Sequence, residues 1–330
     1  MDNYLDNFTT LRIQLNERCN FQCPTCEIYK QKNKELSLET WKSIINDFSK
    51  FPSKNKQVEL VGGEPLLRFE DVCSLCSFCK EKNIQSYIVT NGSLLNQNNI
   101  EKLITSGITF LRISINSHIE DKHDLLRQKG NLKHNLKVIE LIKNYKKNNS
   151  LSFPKIHINS MLNDDNVDSY IDTINYFMKE NKVDGFNFFP LYPIFGNLHR
   201  DMLVYRKDKQ IQVINYILDN YNYYSKFIIN SKNRLYKMID YIKERGNCTF
   251  ELCDSSSFHI FATCSGDVHP CVTFTEAPIY KNQIGSPYNL LRYSLLDIIL
   301  KQKILRQKLK KCNKWCSSLD CHNREEIFYI

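Results

Sequence analysis

The chain has 330 residues, 42% of them hydrophobic, which is enough for one large domain with an ample core and a small appendage. Lys and Arg outnumber Asp and Glu by 45 to 36. The net charge of +9 indicates either an anionic substrate or partner, or simply a well-solvated surface. The sequence shows no apolar signal run, no stretch long enough to span a membrane and no nucleic-acid-binding motif. We therefore expect no membrane and no nucleic-acid partner.

The 13 cysteines fall into close groups, which is typical of metal sites in a reducing cytoplasm rather than of a disulfide framework. The first group is Cys19, Cys23 and Cys26, with the spacing C-x3-C-x2-C. Ordinary ferredoxin clusters use four cysteines. Three thiolates would hold three irons of a 4Fe-4S cluster and leave the fourth iron open to a ligand that is not protein. The alternative is a zinc site that takes a further ligand from a distant part of the chain.

The sequence around this group has the pattern of alternating strands and helices. Residues 10–15 read as a buried strand that leads directly into the cysteines, and Ser37 is a typical helix start. A second predicted strand, 57–61, ends in the turn 62–65, Gly-Gly-Glu-Pro. Two glycines allow the backbone to approach a ligand closely, and a carboxylate placed there can accept hydrogen bonds from an ammonium group.

The same alternation continues to residue 191. We predict strands at 85–90, 110–115, 155–162 and 185–191 and helices at 69–82, 97–106, 131–147 and 166–180. Repeated strand–helix units with short connections indicate an α/β fold with a parallel sheet, either open or curled into a partial barrel. Ligands bind such folds at the carboxyl ends of the strands, where the first cysteine group and the 62–65 turn both lie.

The cysteine spacing, followed by Gly-Gly-Glu-Pro at the next strand end, resembles the signature of the radical S-adenosylmethionine enzymes. Residues 8–195 are similar to that superfamily's partial (β/α)6 TIM-type barrel. The resemblance implies that the open iron chelates the amino and carboxylate groups of S-adenosylmethionine. An electron from the cluster would then cleave the sulfonium to give a 5′-deoxyadenosyl radical. It also implies a flavodoxin- or ferredoxin-type electron donor.

The resemblance carries single residues over as well. It implies that Glu64 contacts the amino group of S-adenosylmethionine, that Ser114 contacts the sulfonium cosubstrate and that Arg127 faces its carboxylate. Asn116 stands where many members have Asp, and the glycine expected directly after Arg127 is displaced to Gly130. The structural alternatives are a strand-end turn for Ser114 and a solvated helix charge for Arg127. The predicted cofactor-binding residues are Gly62, Gly63, Glu64, Asn91, Ser114 and Arg127.

The C-terminal third contains the second cysteine pattern. A hairpin with a Gly-Asp turn is predicted around Gly266, with Cys253 before its first strand and Cys271 at the end of its second. A helix with a Lys-rich outer face is predicted over 294–311. The cysteines that follow it are Cys312, Cys316 and Cys321.

This layout resembles the SPASM and twitch extensions of the same superfamily and implies one auxiliary 4Fe-4S cluster. The preferred ligands are Cys253, Cys271, Cys316 and Cys321, with Cys312 as a substitute. The same cysteines would also suit a structural zinc site. The resulting domain prediction is a barrel at 8–195, a helical linker at 196–247 and an auxiliary-cluster domain at 248–330.

The remaining cysteines have weaker patterns. On the predicted helix 69–82, Cys73 is joined by Cys76 and Cys79, and at least the last two are predicted core residues because free Cys packs as a small hydrophobe. Three roles are left for Cys248 and Cys264: buried packing, an extra cluster ligand or a hydrogen-atom donor. Cys264 is the catalytic candidate, as a hydrogen-atom donor. A solvated basic helix face is predicted from Lys301, Lys303, Arg306, Lys308, Lys310 and Lys311.

The sequence leaves the substrate open. Many superfamily members with such an extension modify ribosomal peptides and carry a leader-binding domain before the barrel; since the first strand begins by residue 10, we expect none here. We predict hydrogen abstraction from a peptide or small molecule. The alternative is oxidation, epimerisation or rearrangement of a sugar, cyclitol or cofactor precursor. The related molybdenum-cofactor cyclases have a tighter C-x2-C-x13-C spacing and a Gly-Gly end, which are missing here. A hypothesis of another class is a non-catalytic electron-transfer protein, against which the three-cysteine loop argues.

Overall fold

A computed structural model of the chain describes residues 4–179, 182–191, 206–243, 258–270 and 288–309. The strands are β1 (Thr10–Gln14), β2 (Gln57–Val61), β3 (Gln85–Thr90), β4 (Phe110–Ser114), β5 (Lys155–Leu162), β6 (Gly185–Pro190), β7 (His259–Ala262), β8 (Asp267–His269) and β9 (Tyr288–Asn289). The helices are α1 (Leu38–Ser49), α2 (Phe69–Glu81), α3 (Gln97–Thr105), α4 (Glu120–Leu126), α5 (Asn131–Asn148), α6 (Tyr170–Met178), α7 (Lys207–Asp219), α8 (Tyr221–Tyr224), α9 (Lys232–Lys243), α10 (Leu295–Lys301) and α11 (Lys303–Leu309).

The six barrel strands and the first helices lie where the sequence pattern predicts them. Ser37 is the N-cap of α1, and its side chain accepts a hydrogen bond from the Thr40 amide at 3.2 Å. Behind this cap, α1 turns Trp41, Ile44 and Phe48 into the core. The capping residue and the apolar spacing are both local features, which explains why the sequence alone places this helix.

Two predicted helices are interrupted. The predicted helix 166–180 becomes α6 only at Tyr170, because the Asn166 amide group is used to join two strand ends, donating to the Asn116 and Met161 carbonyls at 2.8 and 2.7 Å. The predicted helix 294–311 breaks at Gln302, whose side chain donates to the Val268 carbonyl at 2.9 Å. Both breaks follow from tertiary hydrogen bonds, which the helical periodicity does not contain.

The strands form one sheet in the order β6-β5-β4-β3-β2-β1-β7-β8-β9. Neighbours from β6 to β7 run parallel, and β7, β8 and β9 are joined antiparallel. Parallel strands in sequential order with right-handed crossovers place all their helices on one face of the sheet. Most side chains on that face are aliphatic and buried, such as Leu11, Val58 and Ile113.

The opposite face carries polar side chains that are nevertheless buried. Gln14, Glu59, His157 and Asn187 all point to this side by strand alternation, and each is less than 5% exposed. A sheet face without helices can bury polar groups only if the sheet curls around them. The fold is therefore the predicted α/β partial barrel, and we call this polar side the concave face.

The C-terminal hairpin extends the barrel sheet. Strand β7 pairs in parallel with β1, so that Thr10 lies opposite His259, and the hairpin turn passes through Gly266 at φ 92°. The predicted hairpin is thus confirmed. The domain boundaries at 196, 248 and 330 stay predictions, since much of that region lies outside the described residues.

One residue of the predicted basic face is not solvated. Arg306 on α11 is 1% exposed, and its guanidinium donates to the His259 carbonyl at 2.8 Å and to the Gln302 side chain. The prediction of a solvated position was therefore wrong for Arg306, because the guanidinium fastens the C-terminal helix to the hairpin.

Within the described ranges, no helix is both long and apolar enough to cross a membrane.

Candidate functional site

The three cysteines of the first group lie on the loop that leaves β1. Each is partly exposed, and the Cys26 amide donates to the Cys23 carbonyl at 3.1 Å. Burial raises the pKa of Cys19 to about 11. The Phe21 amide donates to its sulfur at 3.4 Å, and this hydrogen bond acts in the opposite direction by lowering the pKa. Glu64 and the other two cysteines raise this pKa further. Three thiols on one loop at the carboxyl edge of a parallel sheet have the donor chemistry that an iron–sulfur cluster requires, and its binding would displace the thiol protons.

The Gly-Gly-Glu-Pro turn after β2 is hydrogen-bonded to the segment that leads into these cysteines. The Gly63 amide donates to the Asn16 carbonyl at 3.0 Å, and the Glu64 amide donates to the Arg18 carbonyl at 2.8 Å. A Cβ atom on Gly63 would lie 2.1 Å from the Arg18 carbonyl oxygen, and one on Gly62 would lie 2.4 Å from the Asn16 carbonyl oxygen. Both glycines are therefore required by backbone packing against residues 16–18, a reason that the sequence did not reveal.

The Glu64 carboxylate is fully buried and joins the ends of β2 and β3. It accepts hydrogen bonds from the Thr90 hydroxyl at 2.7 Å, the Asn91 amide at 2.8 Å and the Leu66 amide at 3.0 Å. Burial raises its pKa, while these three donors and the charge of Arg127 act in the opposite direction. The side chain thus braces the strand ends, and its predicted contact with an ammonium group stays a prediction.

Asn91 connects the end of β3 to the cysteine loop. Its side-chain nitrogen donates to the Asn20 side chain at 3.0 Å and lies 3.9 Å from the Cys19 sulfur. Asn20 in turn donates to the Ser93 hydroxyl at 2.8 Å. The structure therefore brings predicted site residues from β1, β2 and β3 into one hydrogen-bonded group, to which Asn20 and Ser93 are additions that the sequence analysis missed.

A second group of buried side chains, which the sequence analysis also missed, holds Asn91 in place through hydrogen bonds to its carbonyl. The Asn91 carbonyl accepts from the side chains of Asn131 at 3.2 Å and Asn135 at 3.1 Å. His123 bonds to the Asn131 side chain at 2.9 Å and accepts from the Asn116 amide at 3.1 Å through Nδ1. Burial lowers the pKa of His123 to about 4, so its ring is neutral. The i, i+4 spacing of the two asparagines on α5 was the available sequence signal.

The other carried-over residues lie at the β4 end or after it. Ser114 is 7% exposed on the concave face, opposite Asn159 of β5. Arg127 follows α4, and its buried Nε has no hydrogen-bond partner among the described residues. Asn116 is fully buried and accepts from the Met161 amide at 3.0 Å, so it links β4 to β5. No described contact tests the predicted cofactor contacts of Ser114 and Arg127.

The remaining cysteines divide into two groups. Cys73, Cys76 and Cys79 are all buried in α2, which confirms the predicted packing of Cys76 and Cys79. Cys264 is also fully buried, at the hairpin turn, where its carbonyl accepts from the Leu36 amide at 2.8 Å. Burial, with nearby Glu17 and Glu35, raises its pKa to about 12. Its catalytic role stays a prediction. The remaining predicted positions, Cys248, Cys253, Cys271, Cys312, Cys316 and Cys321, lie outside the described residues.

Comparison with curated proteins gives two relatives that match this chain over different lengths. The chain is 27% identical over 228 residues to the molybdenum cofactor biosynthesis protein moc-5 of Caenorhabditis elegans, across 67% of this chain and 35% of that protein. It is 24% identical over 340 residues to the GTP 3',8-cyclase of Campylobacter lari, across 100% of this chain and 98% of the relative. The match therefore spans about a third of the first relative's length and nearly all of the second's.

Comparison with solved structures supports the barrel fold. SuiB of Streptococcus suis bound to S-adenosylmethionine superposes with a TM-score of 0.71 at 18% identity, across 92% of this chain and 68% of that one.

Residues 13–177 match the family model described as the Radical SAM superfamily. These residues include the cysteine loop, the Gly-Gly-Glu-Pro turn and all strand ends from β1 to β5. The chain thus belongs to the radical S-adenosylmethionine superfamily.

Proposed function

We propose that the chain binds a 4Fe-4S cluster through Cys19, Cys23 and Cys26 and S-adenosylmethionine beside it, and abstracts a hydrogen atom from a peptide or small-molecule substrate. The observation that carries this proposal is the hydrogen-bonded group that joins the cysteine loop to the ends of β2 and β3. When bound, the cluster supplies the electron that cleaves the sulfonium to a 5′-deoxyadenosyl radical. A flavodoxin- or ferredoxin-type donor in the cytoplasm would deliver that electron.

In this proposal the residues of the chain hold and orient the cofactors. Glu64 fixes the spacing between the β2 and β3 ends, and Asn91 keeps the cysteine loop against β3. Arg127 offers a buried Nε donor near Glu64, which suits a cosubstrate carboxylate. An auxiliary 4Fe-4S cluster in the C-terminal region is part of the proposal, with the cysteines predicted above as its ligands.

The similar proteins support two candidate substrate classes. SuiB, which shares this fold, has also been solved with its precursor peptide SuiA, and this supports a peptide substrate. The similarity to a GTP 3',8-cyclase over the whole chain supports a small-molecule substrate as the second candidate. The first candidate is therefore maturation of a peptide or natural product, and the alternative is oxidation, epimerisation or rearrangement of a sugar, cyclitol or cofactor precursor.

Anaerobic reconstitution tests the cluster assignment. The wild type should bind about eight irons and form 5′-deoxyadenosine, whereas joint replacement of Cys19, Cys23 and Cys26 by Ala should leave about four irons and abolish that product. Joint replacement of Cys73 and Cys76 by Ala is the matched control, since these buried thiols should not bind iron. Cleavage of S-adenosylmethionine by the triple variant would contradict the proposal. An iron-loaded wild type that cleaves none would favour the electron-transfer alternative.

A further inference from the structure

Both ends of the cysteine loop contact one side chain, that of Arg68. The loop occupies residues 15–36, between the end of β1 and the cap of α1. Arg68 Nη1 donates to the Leu15 carbonyl and to the Leu36 carbonyl, at 3.0 Å each. Because the two hydrogen bonds share one nitrogen, the guanidinium joins the first residue of the loop directly to its last.

A buried ion pair orients the Arg68 guanidinium for these contacts. Arg68 is the last residue of a short 3₁₀ helix, Pro65–Arg68, between the Gly-Gly-Glu-Pro turn and α2. Its Nε and Nη2 both lie near Asp71 Oδ2, at 2.8 and 2.7 Å, and Asp71 belongs to the first turn of α2. The Arg68 side chain is 10% exposed, so water competes little for its hydrogen bonds. The guanidinium is thus fixed to the barrel while it joins the loop ends.

The amides of the same two loop residues are fixed as well. The Leu15 amide donates to the Val61 carbonyl of β2 at 2.8 Å. The Leu36 amide donates to the Cys264 carbonyl of the hairpin turn, also at 2.8 Å. Each end of the loop is therefore bonded to the sheet through its amide, and Arg68 joins the two ends through their carbonyls.

Further contacts join the early and the late parts of the loop. Glu17 accepts from the Asn33 backbone and side-chain nitrogens at 3.0 and 2.9 Å. The Arg18 guanidinium donates to both Glu35 carboxylate oxygens at 2.7 and 3.0 Å. Since the Arg18 side chain is 59% exposed, water screens that pair and limits its contribution. The loop thus folds back on itself, and the Arg68 contact closes it at its ends.

A loop that binds one cluster through three side chains must hold those side chains close together. A loop with separated ends samples many arrangements, and joining the ends removes part of that conformational entropy before the cluster binds. The hydrogen bonds of Arg68 within the described residues go to Leu15, Leu36 and Asp71, and none goes to a cysteine. Any effect of Arg68 on the thiols is therefore transmitted through the loop backbone.

We propose that Arg68 is a positioning residue for the cluster: by joining the two ends of the cysteine loop, it holds Cys19, Cys23 and Cys26 together for iron binding. This inference rests on the proposed function, since the three thiols need to converge only if they share a cluster. The sequence analysis did not select Arg68, because the carbonyls that it joins lie 53 and 32 positions away in the chain.

Three variants of the full chain test this role. Arg68→Met removes every donor and keeps the aliphatic part of the side chain. Arg68→Lys keeps a charged donor that can reach the loop carbonyls but loses the two-nitrogen contact with Asp71. Arg206→Met is the matched control. Arg206 also bonds to an aspartate through two nitrogens, at 2.6 Å each, and to a backbone carbonyl at 3.3 Å, but its partners are Asp168 and Asp164.

Hydrogen–deuterium exchange of the cluster-free protein measures the loop itself. Arg68→Met should accelerate exchange in residues 16–36 at least about tenfold, because charge-assisted hydrogen bonds are lost, and leave β4 and β5 unchanged. Arg68→Lys should give an intermediate rate, and Arg206→Met should leave the loop at the wild-type rate. A merely structural role would lower the free energy of unfolding and accelerate exchange in β4 and β5 as well.

Iron release to a chelator measures the effect on the cluster. In the reconstituted protein, the relevant iron is the part that the variant with Cys19, Cys23 and Cys26 replaced by Ala lacks. Arg68→Met should lose that iron at least about tenfold faster than the wild type, and Arg68→Lys should lose it at an intermediate rate. Arg206→Met should release it at the wild-type rate. The electron paramagnetic resonance signal of the reduced cluster should broaden in the same order, because the thiols adopt a wider range of positions.

The positioning role is refuted if both Arg68 variants exchange and release iron like the wild type, or if Arg206→Met has the same effects. It is also refuted if exchange in β4 and β5 rises as much as in the loop. Arg68→Lys supplies the measurement if Arg68→Met does not fold. The proposed function fails separately, if the wild type binds no more iron than the triple cysteine variant. Exchange in the cluster-free protein then still decides whether Arg68 holds the loop.

Discussion

The carboxyl edge of β1 to β3 and the concave face of β4 to β6 differ in how their polar groups are satisfied. At the first, the Glu64 carboxylate has three protein donors, and Asn91 bonds to the cysteine loop and to α5. At the second, Arg112 Nε and His157 Nδ1 are buried without partners in the described part of the chain. The polar groups of the first region are thus held by hydrogen bonds within the protein, whereas the second region keeps buried polar atoms without such bonds to any described residue.

Gly63→Ala should have the largest effect on stability, because it places a Cβ atom at the closest backbone contact between the 62–65 turn and the cysteine loop. The new Cβ would meet the Arg18 backbone carbonyl at 2.1 Å, which cannot move without shifting the cysteine loop. We expect a loss of at least about 3 kcal/mol in the free energy of unfolding, together with poor cluster retention. Chemical denaturation and iron analysis measure both.

Gly130→Ala is the matched control for that variant. Gly130 has φ 78°, and a Cβ atom there would have no neighbour within 4 Å. Backbone strain alone should then cost about 1 kcal/mol and leave the iron content unchanged. Equal behaviour of the two alanine variants would show that the contact with Arg18 does not matter.

A pH titration of stability examines the support beneath Asn91. The pKa of His123 falls from 6.5 to about 4 on folding, so the unfolded chain takes up the proton first as the pH decreases. The stabilisation by neutral His123 is complete above pH 6.5 and is lost as the pH falls towards 4, up to about 3 kcal/mol.

His123→Gln isolates this contribution, since His157 and His269 also have lowered pKa values and act in the same direction. The variant should show a shallower fall in unfolding free energy between pH 6.5 and 4 than the wild type. Two parallel curves would mean that His123 is not buried as a neutral ring.

Glu64→Gln should have a smaller effect on stability, at about 2 kcal/mol. One of its carboxylate oxygens becomes an NH2 group, so that the Asn91 amide or the Thr90 hydroxyl faces a donor in a buried site. The predicted ammonium contact adds a second expectation, weaker binding of S-adenosylmethionine with the iron content intact. A titration that shows unchanged affinity would leave Glu64 with the bracing role alone.

Much of the fold could be predicted from the sequence, because its determinants are local. Each of these signals involves only residues that are close together in the sequence. The alternation of Leu11 and Ile13 indicates a strand, Ser37 marks the start of a helix, and the cysteine spacing identifies the cluster loop. The breaks at Asn166 and Gln302 were not predictable in this way, since each depends on a carbonyl in another part of the fold.

The sequence by itself determined the order of the elements and the cysteine loop, and only the tertiary structure decided what lies beside them. Gly63 needs to be glycine because of Arg18, 45 positions away, and Arg306 is buried because the hairpin joins the β1 edge. Arg112 and His157 are likewise distant in the chain and meet only through the register of β4 and β5. That register is selected because it buries the apolar face of every strand against the helices. The pattern of a single strand contains no information about how its partner is aligned with it.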